Sequence, residues 1–137
     1  MTFAGDLHRA AGGFDRQATA RIRRVALAAF EQINLASPVD KGTFRANWVV
    51  SFDTIDRSCD LSKNEDDIAE AMSIAMAAIR DKTVPGTTIY ICNSVPYAIK
   101  IENGYSQQAT RVPGAAGGGV VDPAITVIKN KIASGQL

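Results

Sequence analysis

The stretch SPVDKGTFRANW, residues 37–48, separates a long helical pattern from the first strand-like pattern of the chain. Its serine–proline pair predicts the end of a helix, because a residue that precedes proline avoids helical dihedral angles. Gly42 predicts a turn, and Trp48 starts a run in which apolar and polar residues alternate. We therefore expect a helix, a tight corner and a strand in this order.

Before the corner, residues 15–36 predict a long amphipathic helix. Its apolar residues recur at steps of three and four: Ile22, Val25, Ala26, Ala29, Phe30 and Ile33. The pair Gly12-Gly13 predicts flexible backbone in front of the helix. We expect residues 1–13 to form a flexible arm.

After the corner, NWVVSFDTID (47–56) and TTIYICN (87–93) predict two strands, with Trp48, Val50 and Phe52 on one face of the first. Between them, EDDIAEAMSIAMAAIR (65–80) predicts a helix, whose acidic first turn matches the positive end of the helix dipole. The two methionines of its apolar stripe are interpreted as core residues.

The C-terminal third predicts a short helix in PYAIKIENG (96–104), a long glycine-rich loop over 105–121 and a last helix over 122–134. Asp122 and Pro123 predict the N-cap and first turn of that helix, and Ile125, Ile128 and Ile132 its apolar stripe. A further strand is predicted at Gly119–Val121.

This order of elements predicts a single α+β domain over residues 1–137. We expect a small, mostly antiparallel sheet with the long N-terminal helix, a middle helix and a C-terminal helix packed against it. With 137 residues and 46% hydrophobic residues, the chain is typical of a globular protein and atypical of a disordered or fibrous one.

Charge is distributed unevenly along the chain. Residues 1–50 hold seven bases and four acids, residues 51–82 four bases and eight acids, and residues 83–137 four bases and two acids. This pattern is compatible with solvated helix faces or with contacts between copies of the chain. The first residues have no apolar core of a signal peptide and no run is long enough to span a bilayer, so we expect a cytoplasmic protein without a membrane contact.

The sequence offers little for catalysis. His8 is the only histidine, and it lies close to the N-terminus. No set of serine, histidine and aspartate can be assembled without it, and GAAGGG lacks the Lys-Ser/Thr of a phosphate-binding loop. We expect no catalytic residues, no metal and no cofactor. Cys59 and Cys92 lack metal-ligand spacing and are expected to be free thiols.

Two blocks of the sequence together resemble the tail-completion (neck) protein family of tailed bacteriophages. The first block matches that family at Ser37, Pro38, Val39, Asp40, Gly42, Arg45, Asn47 and Trp48. The second, ICNSVPYAIKIENGYSQQAT (91–110), matches it at Asn93, Pro96, Tyr97, Ala98, Glu102, Gly104, Ser106, Gln108 and Ala109. The chain departs from the family pattern at Lys41, where threonine is usual, and at Thr110, where proline is usual.

The resemblance implies a structural virion protein without catalysis, assembled in the host cytoplasm. It implies a homo-oligomeric ring, a hexamer, that joins the head-side connector or stopper to the tail terminator or tube, with DNA passing through the lumen without sequence specificity. Two alternatives stay open: a tail terminator ring that caps the tube, and a small non-virion enzyme or regulator.

The same residues also have an intramolecular interpretation. Pro38, Gly42 and Trp48 are interpreted as a packed corner that fixes how the first helix meets the sheet. Asp40 is expected to accept hydrogen bonds from amides near Gly42, and Arg45 to pair with Asp40 or Glu102.

For Arg45, Tyr97, Glu102 and the loop over 105–119, the alternatives of holding the fold and of contacting a neighbouring subunit both stay open. Arg21, Arg23 and Arg24 are conjectured to face the DNA of the channel, from their charge alone.

Overall fold

The computed structural model describes residues 3–103 and 119–137, with the backbone alone for residues 3–15. Its elements are α1 (Phe3–Ala36), α2 (Thr43–Ala46), β1 (Trp48–Phe52), a 3₁₀ turn (Glu65–Asp67), α3 (Ile68–Lys82), β2 (Ile89–Asn93), α4 (Ala98–Glu102) and α5 (Val121–Ala133). Within these ranges, none of the helices combines the length and apolar character needed to cross a membrane.

The described strands form a two-stranded antiparallel sheet. Trp48 lies opposite Asn93, and Phe52 lies opposite Ile89. Because side chains alternate along a strand, Trp48, Val50 and Phe52 share one face with the odd-numbered residues of β2. The sheet, together with the long N-terminal helix, confirms the predicted α+β class.

The hydrophobic core lies between this face of the sheet and the helices. α1 contributes Ala26, Phe30 and Ile33, and α3 contributes Ala75 and Ile79. Trp48 and Ala124 complete the same cluster from β1 and α5. Most of the periodic apolar residues of α1 and α3 therefore face the core, whereas Ile22 is 41% exposed. Met72 and Met76 pack against this core as expected.

The prediction that α1 begins near residue 15 was wrong, because the helix begins at Phe3 and includes Gly12 and Gly13. Each glycine costs about 1 kcal/mol relative to alanine in a helix. Five alanines and two arginines, all good helix formers, lie among the flanking residues 3–20, and extending an existing helix costs no new nucleation. Residues 3–13 of the expected arm are therefore helical, and the flexibility of that arm stays a prediction.

Two predictions about the start of α5 were also wrong. The helix begins at Val121, so Gly119–Val121 is not a strand, and Val120 rather than Asp122 occupies the N-cap position. In the apolar stripe, Ile128 is buried, whereas Ile125 is exposed and Ala124 takes the inward position. Pro123 lies in the first turn, as predicted.

Candidate functional site

The corner at the end of α1 is closed by a buried hydrogen-bond relay between Ser37 and Trp48. The Ser37 hydroxyl donates to the Ile33 carbonyl at 2.8 Å and accepts from the Trp48 indole N–H, also at 2.8 Å. Trp48 is 7% exposed, and its ring packs edge-on against Phe44 with 5.5 Å between centroids. Ser37 therefore ends the helix and positions the tryptophan that begins β1.

Gly42 is required at the turn for two separate reasons. Its φ of +85° lies in the left-handed region that favours glycine. In addition, a Cβ at this position would lie 2.5 Å from the Glu65 Cα, which is closer than real contacts allow. The backbone of the 3₁₀ turn presses against Gly42 because the Glu65 amide donates to the Lys41 carbonyl at 2.9 Å.

Asn47 ties the loop after β1 back to the corner. Its side-chain amide donates to the Asp60 carbonyl at 2.9 Å and to the Thr43 carbonyl at 2.7 Å, while its Oδ1 accepts the Asp60 amide at 2.8 Å. This side chain is only 1% exposed, so these bonds form away from water. The sequence match included Asn47 but gave it no role, because its partner lies thirteen residues away.

The second block of the resemblance meets the first at this corner. The Asn93 side chain donates to the Phe44 carbonyl at 2.7 Å and accepts the Val95 amide at 3.2 Å. Tyr97 lies close to Thr43, Cys59 and Asp40. Partial burial raises the pKa of Tyr97, the neighbouring Cys59 and Asp40 act in the same direction, and hydrogen bonding with Thr43 opposes them.

Glu102 caps the N-terminus of α5 from another element. Its Oε2 accepts the amides of Val120 and Val121 at 2.9 and 2.8 Å, and its Oε1 accepts the Asp122 amide at 3.0 Å. Gly119 allows this approach, since a Cβ there would lie 3.2 Å from Oε1. A carboxylate here satisfies free helix amides and faces the positive end of the helix dipole.

The predicted ion pair of Arg45 with Asp40 or Glu102 is absent from the described residues. Both Glu102 oxygens are engaged by α5, Asp40 is exposed, and neither acid forms an ion pair with Arg45 within residues 3–103 and 119–137. The Arg45 Nε is buried without a hydrogen-bond partner, and burial lowers the pKa of Arg45. Asp40 likewise makes none of the expected hydrogen bonds to described amides near Gly42; the Lys41–Glu65 bond holds that turn instead.

The acids with a shifted pKa do not suit acid–base catalysis. Hydrogen bonds from Ser58 lower the pKa of Asp56, and hydrogen bonds from Ser62 lower the pKa of Asp60. Both carboxyls are exposed, and a general acid needs a raised pKa instead. Over the described residues, no cluster of three histidine, cysteine or acidic side chains could hold a metal ion. Cys59 is exposed and Cys92 half-buried, and no disulfide joins them.

The three conjectured channel arginines occupy different surroundings. Arg21 and Arg24 are exposed on α1. Arg23 is half-buried and donates from its Nη2 to the Thr83 carbonyl at 3.2 Å, which connects α1 to the end of α3. One of the three therefore contributes to helix packing, whereas the other two are accessible.

Within the described residues, a groove lies on either side of the helix–sheet core. One, of about 480 Å³, lies between α1, β2 and α5 and is lined by Arg21, Ile22, Val25, Ala26, Ala29, Ile89, Ile91 and Ile132. We call it the α1–α5 groove. The other, of about 640 Å³, lies between β1 and α3 and carries Asp56, Lys63 and Lys82 among its lining residues. The first has an almost wholly apolar lining, whereas the second is mixed.

The other residues singled out in the sequence are Pro38, Pro96, Gly104 and the glycine-rich loop. Pro38 is buried in the corner and Pro96 is exposed. Gly104 lies outside the described residues, as do residues 105–118 of the predicted loop.

Comparison with known proteins gave no assignment: no family model, curated protein or solved structure matches this chain.

Proposed function

We propose that this chain is a structural component of the head–tail junction of a tailed bacteriophage. In this proposal it is a tail-completion or neck protein that forms a homo-oligomeric ring, a hexamer, around the DNA channel. The ring joins the head-side connector or stopper to the tail terminator or tube, and it assembles in the host cytoplasm as part of the virion. It has no membrane partner.

The observation that carries the proposal is the convergence of the two sequence blocks. The blocks are far apart in the chain, yet Trp48 lies opposite Asn93 in the sheet, and the Asn93 side chain donates to the Phe44 carbonyl. Trp48 and Asn93, one residue from each block, therefore meet beside the corner, as expected if the resemblance extends to the fold. The polar atoms of Ser37, Asn47 and Glu102 are used in internal hydrogen bonds.

The described surface also favours assembly over chemistry. The α1–α5 groove has an almost wholly apolar lining, which gives a partner side chain apolar surface to bury. By contrast, Asp56 and Asp60 lie exposed in the loop after β1. Hydrogen bonds lower the pKa of both, whereas a general acid needs a raised pKa.

In this proposal, DNA passes through the lumen of the ring. Arg21 and Arg24 are accessible, so they fit the conjectured contact with phosphates, whereas the bond from Arg23 to Thr83 reduces its fit. Contacts of this kind are independent of sequence and weaken as salt increases.

The test is genetic and uses the phage or prophage that encodes the chain. Early termination of the gene should give DNA-filled heads and complete tails that fail to join, visible by electron microscopy. Mass spectrometry of normal particles should detect the protein, and labelling should place it at the junction. Tails of uncontrolled length would indicate the terminator function instead, and normal infectious particles without the protein would exclude both virion functions.

A further inference from the structure

The α1–α5 groove combines apolar walls with a basic surround. Ile22 is 41% exposed at its edge, Ile132 contributes the α5 wall, and Arg21 is its charged lining residue. No acid occurs in residues 16–30 or 123–137, which contain four arginines and two lysines. An occupant must therefore offer aliphatic side chains together with negative charge.

The outer side of α3 has this chemistry. Ile74 is 64% exposed, although it lies in the middle of a helix. Glu70, Ser73 and Ala77 are also exposed and lie within one turn of Ile74 on the helix surface. We call these four residues the α3 ridge. Glu70 is the charged residue of the ridge, and Arg80 and Asp81 follow one turn after Ala77.

The ridge does not belong to the interior of its own chain. Ala75 and Ile79 form the inward side of α3, at 5% and 0% exposure, whereas Ile74 is exposed at the edge of the groove between β1 and α3, which Lys82 also lines. The ridge therefore offers an aliphatic side chain, Ile74, and a negative charge, Glu70, on a surface outside the α1–α5 groove.

We propose that the α3 ridge of one copy docks into the α1–α5 groove of the next copy. Ile74 enters the apolar groove beside Ile22 and Ile132, and Glu70 faces Arg21, so that in the assembled ring Arg24 keeps the conjectured contact with DNA. Because the two surfaces differ, the contact is head-to-tail, and such contacts close into a ring when the rotation between copies is suitable. The proposal specifies the subunit contact of the proposed ring and in that sense rests on it.

A nucleic acid is the competing occupant, because the surround is basic. The lining favours protein instead, since Ile22, Val25 and Ile132 offer no donor to a phosphate. Salt-dependent DNA binding through Arg21 and Arg24 without self-association would be the result expected of that competitor.

The test uses two complementary variants of the full chain. Ile74→Asp places a charge at the centre of the ridge and leaves the groove unchanged. Ile22→Asp places a charge at the edge of the groove and leaves the ridge unchanged. The matched control is Ile99→Asp, because Ile99 is 77% exposed on α4 and lies outside both surfaces. Circular dichroism confirms that each variant is folded before sedimentation equilibrium is measured, up to about 1 mM protein.

The wild-type chain should self-associate reversibly, and each surface variant should raise the dissociation constant at least tenfold while Ile99→Asp leaves it unchanged. An equimolar mixture of the two surface variants should form a heterodimer and nothing larger, because one good ridge and one good groove remain. A variant that does not fold is replaced by Glu70→Arg or Arg21→Glu, for which the same pattern is expected.

Wild-type chain that stays monomeric throughout this range overturns the proposal, as does a mixture that stays monomeric. Loss of DNA binding in an Arg21→Glu, Arg24→Glu variant with unchanged self-association also overturns it. These outcomes are separate from the proposed function: a protein found at the head–tail junction whose mixture fails to pair keeps that function and loses only this contact. A mixture that pairs, from a protein absent from particles, loses the function and keeps the contact.

Discussion

The corner at residues 37–48 and the α1–α5 groove use their side chains in opposite ways. In the corner, Ser37, Asn47 and Trp48 are buried and form hydrogen bonds with one another or with nearby backbone. In the groove, Ile22 remains accessible, with an apolar lining and an exposed arginine beside it. The corner is thus complete within one chain, whereas the groove has apolar surface left to bury.

The corner and the proposed contact surfaces therefore lie in different parts of the molecule. Of the described residues that carry the resemblance, Ser37, Gly42 and Trp48 lie in the corner, whereas Glu102 lies in α4 and caps α5. The surfaces proposed for assembly lie in α1, α3 and α5, which contributed nothing to the match. Changes in the corner should therefore alter the free energy of unfolding, and changes in the groove or ridge should alter association.

The largest loss of stability is expected from Gly42→Ala. Alanine in the left-handed backbone region and the close approach of its Cβ to Glu65 together should lower the free energy of unfolding by about 3 kcal/mol. The matched control is Gly86→Ala, whose φ of +83° is nearly the same but whose added Cβ meets nothing within 4 Å. It should cost about 1 kcal/mol. Urea denaturation measures both, and equal losses would contradict the role of the Glu65 contact.

Asn47→Ala should lower the free energy of unfolding by about 2 kcal/mol, because buried backbone groups lose their partners. The loop around Asp60 should also loosen, which hydrogen exchange at the Asp60 amide would report. Asn130→Ala, at an exposed position of α5, serves as the control and should change little. An Asn47 variant as stable as this control would show that the loop does not depend on the corner.

Glu102→Ala should cost about 1 kcal/mol through loss of the acceptor for the first amides of α5. Glu102→Gln should cost less, because a carbonyl acceptor remains while the charge is lost. Glu31→Ala on the exposed side of α1 is the control. Thermal denaturation ranks the three variants, and a Gln variant as unstable as the Ala variant would assign the effect to charge alone.

Arg45→Met should change the free energy of unfolding by less than about 0.5 kcal/mol or increase it slightly, because no described carboxylate pairs with this half-buried guanidinium. Asp40→Asn should be equally mild. If both variants lowered the free energy of unfolding by more than about 2 kcal/mol and were coupled in a double-mutant cycle, the predicted Arg45–Asp40 ion pair would be supported.

The smallest effect is expected at Asp60 and concerns pH. Hydrogen bonds from Ser62 lower the pKa of Asp60 in the folded state. Their stabilising effect is present above the unfolded pKa, near 3.9, and disappears as the pH falls through the lower folded value. Ser62→Ala should raise the pKa of Asp60 toward its ordinary range in an NMR titration of the carboxyl carbon. Ser134→Ala is the control and should leave it unchanged.

Regular periodicity predicted much of the fold. The end of α1 at Ala36, the strand beginning at Trp48 and the inward residues of α3 follow from local signals that a helix or strand imposes on its own sequence. The start of α1 did not, because two glycines suggested a break that the flanking helix formers override. The start of α5 did not either, since its cap is a carboxylate from α4 and only the folded chain brings Glu102 there.

The candidate site was predictable to the same extent. Pro38, Gly42 and Trp48 act locally, and their interpretation as a packed corner is confirmed by burial and geometry. The predicted partner of Arg45 was wrong because charge alone does not say which acid is already engaged. Asn47 and Asp60 form a long-range pair for which the spacing carries no signal.

The most direct test of the account is a concentration series of isoleucine methyl NMR spectra of the wild-type chain. The account predicts that the methyl signals of Ile22, Ile74 and Ile132 shift together as the concentration increases, while those of the buried Ile33, Ile79 and Ile101 stay in place. Shifts confined to the second set, or to Ile99, would contradict it, as would spectra that do not change at any concentration.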